Sequence, residues 1–94
     1  MLHLISHDVL LSSEQIRLLN ALAPNDAVLF LGSSVLEAPT ILNNATDYTN
    51  QIHFYALSED IQTFGCEDLP TYVKIIDYKQ WVHLTMTHTP CQFW

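Results

Sequence analysis

Positive charge is what this chain lacks most. Arg17, Lys74 and Lys79 are its only cations, set against ten carboxylates, and the net charge is −7. Three scattered cations do not make the phosphate footprint that nucleic-acid affinity requires, so no direct RNA or DNA binding is expected. Cysteine is equally scarce. Cys66 and Cys91 form neither a disulfide framework nor a CxxC pair. No apolar run approaches the roughly 18 residues of a membrane span. The start, MLHLISHDVLL, lacks the basic opening of a signal peptide, so a cytoplasmic location is expected, with no membrane partner. Asn44-Ala45-Thr46 matches a glycosylation acceptor, but only a secretory context would give it meaning. Hairpin dipeptides, internal repeats, linkers and low-complexity tracts are also missing, so residues 1–94 read as a single domain.

Apolar residues are abundant instead. They make up 49% of the chain, and charged residues only 14%. A chain this short buries a limited fraction of its surface. The surplus points to a permanent partner.

Strand and helix signals alternate along the chain. Met1–Ile5 reads as a strand. Ser12 and Gln15 have capping-box spacing ahead of Ile16, Leu19, Leu22 and Ala23, which share a helical face ended by Pro24-Asn25-Asp26. Ala27–Leu31 is continuously apolar, as expected of a strand covered on both faces. Gly32-Ser33-Ser34 turns the chain, and Ser34 with Glu37 is expected to cap a short helical turn. A helical piece from Pro39 to about Asn44 and a polar loop over Asn43–Asn50 follow. Ile52–Leu57 is the third strand. Ser58 is the expected cap of the next helix, with Glu59 and Asp60 in its first turn and Gly65 at its end. After a loop over Cys66–Thr71, Tyr72–Ile76 is the fourth strand. Asp77 and Gln80 repeat the cap pattern for a last helix reaching about His88. These signals predict an α/β fold: a small three-layer α/β/α domain on a mostly parallel sheet of four to five strands.

In such sheets ligands sit outside the carboxyl ends of the strands. Ser6-His7-Asp8, Gly32-Ser33-Ser34, Ser58-Glu59-Asp60 and Asp77 fall there. His7 and Asp8 have acid/base chemistry but generic spacing, and the serines and aspartates are already explained as caps. Gly32-Ser33-Ser34 lacks a phosphate-loop pattern. His83 and His88 are five residues apart, whereas a shared metal needs four on a helix. His3 and His53 have no third ligand in view, so neither metal nor cofactor is expected. Cys66 is the weak catalytic candidate, a possible persulfide carrier. Its neighbours Glu67 and Asp68 blunt a thiolate, and Cys91 is no better placed.

The last stretch, YVKIIDYKQWVHLTMTHTPCQFW, raises a different question. Tyr78, Trp81, Val82 and Thr85 share a helical face. Pro90 stops further helix, and the chain ends on Phe93 and Trp94. Aromatics at a terminus need a cover. These six residues are the interface candidates.

MLH at the start, AVLFL with Val35 beyond it, YALSEDIQTFG, and IIDYKQWVHLT followed by His88 and Trp94 resemble the TusB/DsrH family over essentially the whole chain. The resemblance implies a DsrE-like fold and a place in a TusBCD-type heterohexamer with TusC-like and TusD-like subunits. Such complexes relay persulfide sulfur from a TusA-like to a TusE-like carrier toward 2-thiolation of the tRNA wobble uridine. The family's persulfide cysteine lies on the TusD subunit. Some DsrH relatives carry a cysteine in the first helix, where this chain has Ile16-Arg17-Leu18-Leu19. Many members have Gln-Asp-Gly or Glu-Asp-Gly after the second strand, where this chain has Leu31-Gly32-Ser33. The implied role is a non-catalytic or accessory subunit. The rival roles are an independent sulfurtransferase using Cys66 and a small-ligand-binding α/β module.

Overall fold

The computed structural model describes residues 1–6, 21–36, 38–39, 52–65 and 69–93. Within them run β1 (Leu2–Ile5), β2 (Ala27–Phe30), a 3-10 helix (Gly32–Leu36), β3 (His53–Leu57), α1 (Ser58–Phe64), β4 (Lys74–Ile76), α2 (Tyr78–Thr87) and β5 (Cys91–Phe93). The strands form one all-parallel sheet in the order β4-β3-β2-β1-β5. The continuously apolar β2, and β1, whose one polar residue is His3, lie inside the sheet and are buried along their whole length, as double-sided cover requires.

Strand alternation sorts the core into two layers. Ile5, Val28, Phe30, Phe54 and Ala56 face one way, where Val35 and Ile61 meet them. Leu2, Leu4, Ala27, Leu29 and Leu57 face the other way, under Leu84 and Trp81 of α2. The crossover from β3 to β4 through α1 steps outward in the sheet. The one from β4 to β5 through α2 steps back across it. With a single hand of crossover, the two helices must lie on opposite faces, and their packing puts them there.

The caps explain where elements begin and end. At α2 the Gln80 amide donates to Asp77 Oδ1 at 2.8 Å and the Asp77 amide donates to Gln80 Oε1 at 3.0 Å, a complete capping box. Gly65 closes α1 at φ 68°, its amide donating to the Ile61 carbonyl at 2.9 Å. Other expectations need correction. Ser58 does not cap α1. The N-cap is Leu57, with no side-chain cap bond, because β3 runs directly into the helix and Ser58 is already its first residue. The Ser34 hydroxyl bridges the carbonyls of Ile5 and Leu31, 2.6 Å from each, and so joins the ends of β1 and β2. The fourth strand starts at Lys74, not Tyr72, because the Val73 amide is turned back onto the Pro70 carbonyl at 3.1 Å. The terminal tail is a strand: the Pro90 carbonyl accepts from the Leu2 amide at 3.0 Å and β5 pairs along β1. The expected first helix lies outside the described residues up to residue 20; Ala21 is helical, but Leu22 and Ala23, expected on its face, are not. Glu37, the piece beyond Pro39 and the loop to Asn50 also lie outside the described residues.

Asp77→Ala removes the acceptor of the α2 box. It is expected to lower stability by about 1 kcal/mol. A urea midpoint unchanged from the parent would show that the cap does not hold this helix.

Candidate functional site

At the carboxyl ends of the strands, Asp60, Ser34 and Asp77 are committed to structural hydrogen bonds among the described residues. The Gly32 amide donates to Asp60 Oδ2 at 2.7 Å, so the turn's donor already holds a carboxylate from α1. Gly32 has φ 56°, and a Cβ there would lie 3.3 Å from the Ser6 carbonyl oxygen. That packing and the Asp60 contact explain the glycine without a ligand. Ser34 is buried. His7, Asp8 and Cys66 lie outside the described residues.

The opposite end of the sheet holds a polar node. Asp26 Oδ1 accepts from the Met1 ammonium at 3.0 Å, and Oδ2 lies 2.9 Å from His3 Nε2 and accepts from the Ala23 amide at 3.1 Å. Burial pushes the Asp26 carboxyl up. The bonds from His3, Ala23 and the ammonium outweigh it and hold the group below the usual carboxylate range. His3 and His53 do not converge. His3 shares the α1 face with Ile5, whereas His53 shares the α2 face with Tyr55 and meets the His88 ring at a centroid distance of 6.4 Å. Burial pushes His88 down, and the nearby Met1 ammonium and His53 add to that shift. Among the described residues, no three His, Cys, Asp or Glu side chains are grouped to hold a metal ion.

The α2 helix brings the remaining candidates together. At about 100° per residue, Leu84 faces the sheet, with Gln80 and His83 on one flank and Trp81, Thr85, Tyr78 and Val82 on the other. The first flank meets Tyr55, Lys74 and Ile76 of β3 and β4. The second therefore looks toward β1 and β5. There Tyr78 is 49% exposed, Val82 58% and Phe93 69%, while Trp81 and Thr85 are half-buried. Tyr78 and Trp81 rings lie 5.7 Å apart. The Trp81 Nε1 atom is buried and has no hydrogen-bond partner among the described residues. Cys91 is exposed on β5. Trp94 lies outside the described residues.

The pattern of the DsrH like protein family matches residues 10–90. This chain belongs to that family. No curated protein matches it. Membership in the DsrH-like family points to sulfur-relay work, and the described fold agrees with a small α/β member. Among the described residues of this DsrH-like chain, no helix is long and apolar enough to cross a membrane.

The role of Asp26 was not visible in the sequence, although the turn before β2 and the lone His3 on β1 are its two ends. Because its folded pKa is depressed, ionised Asp26 stabilises the fold fully above the unfolded carboxylate pKa near 4, and that contribution is lost as pH falls through the folded value. Asp26→Asn is therefore expected to be less stable than the parent at neutral pH by about 2 kcal/mol. The gap should close below about pH 4. Urea unfolding of both proteins across that range checks this, and a gap that stays constant with pH would refute it.

Proposed function

We propose that this chain is a non-catalytic or accessory subunit of a TusBCD-type sulfur-relay complex that passes persulfide sulfur toward 2-thiolation of the tRNA wobble uridine. Its partners in this proposal are TusC-like and TusD-like subunits in a cytoplasmic heterohexamer, which exchanges sulfur with TusA-like and TusE-like carriers. Residues 1–94 act as one domain. The observation that carries the proposal is the apolar flank of α2. Tyr78 and Val82 stand half exposed or more beside half-buried Trp81, and Phe93 projects from β5 on the same face of the sheet. Side chains of this size on one side of a small domain are what a subunit interface covers. Thr85 lies on this flank, and Trp94 follows Phe93 in the chain. Family membership supplies the link to sulfur relay.

Native mass tests the proposal directly. The chain is expected to join a defined hetero-oligomer when co-expressed with TusC-like and TusD-like partners. Val82→Asp and Phe93→Ala, both at exposed positions, are expected to weaken assembly by about 1–3 kcal/mol each without unfolding the chain. A monomer indifferent to those partners would sink the proposal.

The absence of a catalytic thiol is tested separately. A Cys66→Ser, Cys91→Ser double variant within the complex is expected to relay sulfur at the parent rate. Intact mass before and after reduction should show no persulfide on this chain. Loss of relay, or a reducible sulfur adduct on Cys66, would instead identify the chain as a sulfur carrier.

A further inference from the structure

The other flank of α2 has opposite chemistry. A cleft of about 380 Å³ opens between it and the β3–β4 side of the sheet. Its apolar lining includes Tyr55, Ile76 and Leu84, the last two buried. Lys74, Lys79 and His83 stand exposed around it. Two of the three cations of a chain with net charge −7 thus meet at one place. No carboxylate lines the cleft among the described residues. An acidic molecule repels anions over most of its surface, so a local reversal of sign selects where an anionic group can approach.

The cleft also has an open side. It borders β4, the outermost strand of the sheet, and no strand among the described residues pairs with the outer edge of β4. Lys74 and Ile76 alternate with Ile75, so both point to the cleft face. An extended segment laid along this edge can bond to the β4 backbone while every second side chain reaches the cleft.

We propose that this cleft binds an acidic, extended peptide segment of a partner protein. The segment adds to the β4 edge and sets carboxylates between Lys74, Lys79 and His83 and an apolar group over Tyr55 and Leu84. The site lies on the flank of α2 opposite the proposed assembly surface and does not depend on it.

The probe is a short blocked peptide alternating glutamate with valine, titrated into the isolated isotope-labelled chain and followed by amide chemical shifts. The expected result is saturable shifts centred on Lys74, Lys79, Gln80 and His83. Binding should weaken at least about tenfold when glutamine replaces glutamate, or in the Lys74→Glu, Lys79→Glu variant, and should also fall with salt. Both lysines are exposed, and the milder Lys74→Gln, Lys79→Gln pair checks that any loss is not misfolding. Equal binding of the glutamine peptide, or shifts centred elsewhere, overturns the proposal. So does benzoate saturating the same resonances as tightly as the peptide, since the cleft would then be a small-anion site. Because the isolated chain is used, a failure here is distinguishable from a failure of hetero-oligomer assembly.

Discussion

The return crossover constrains much of this structure. β4 ends at one edge of the sheet and β5 starts at the other, so α2 and the residues after it must carry the chain back across every strand. Four strand spacings are about 19 Å. Ten helical residues span about 15 Å. The helix and the residues that flank it, Asp77 and His88 to Pro90, cover that distance together. The capping box fixes its first turn at Asp77, Leu84 and Trp81 seat it on the sheet, and Thr89 and Pro90 complete the passage into β5. A single narrow helix on this face also leaves its two flanks free to differ. One carries Tyr78, Trp81, Val82 and Thr85, and the other carries the cleft with Lys79 and His83.

The ends of β1 and β2 are pinned by polar contacts that a cation-poor sequence has to improvise. With only three basic side chains, buried Asp26 is met by the Met1 ammonium, the His3 ring and a backbone amide. At the other end Ser34 reaches the Ile5 and Leu31 carbonyls, and Asp60 takes the Gly32 amide. The Met1, His3, Ile5 and Asp60 contacts join parts of the chain distant in sequence, the Ala23 and Leu31 contacts are local, and each satisfies a group that burial would otherwise penalise.

Local signals survived into the structure where the interaction itself is local. The strand-helix alternation from His53 onward, the Asp77–Gln80 box and the Gly65 stop are short-range patterns, and each formed. Ser34 and Ser58 look like caps by the same local rules, yet tertiary demand overrode both. Ser34 was drawn to the two strand carbonyls, and β3 ran into α1 one residue earlier than a Ser58 cap allows. Strand order was invisible because parallel neighbours are joined by crossovers that leave no mark of which edge they return to. For the same reason the three residues Cys91–Phe93 read as a tail. Only pairing with β1 makes them a strand. The cleft was hidden similarly: Lys74 belongs to a strand and Lys79 to a helix, and neither period alone predicts that they meet.

The distribution of apolar side chains is not what folding alone would produce. Both layers of the described core are closed, with Phe30, Leu2, Ile5, Leu29 and Leu57 fully buried. The large apolar side chains on the outer part of α2 and on β5 are therefore not residues that failed to reach a common core. They lie beyond a core that is already filled, and the side chain beneath them, Trp81, holds a buried indole N–H with no partner among the described residues. A domain that satisfied only its own folding would gain by making Val82 and Phe93 polar, since neither contributes to the packed layers. Keeping them apolar makes physical sense if a second surface covers them, which is the arrangement a subunit of a larger complex requires.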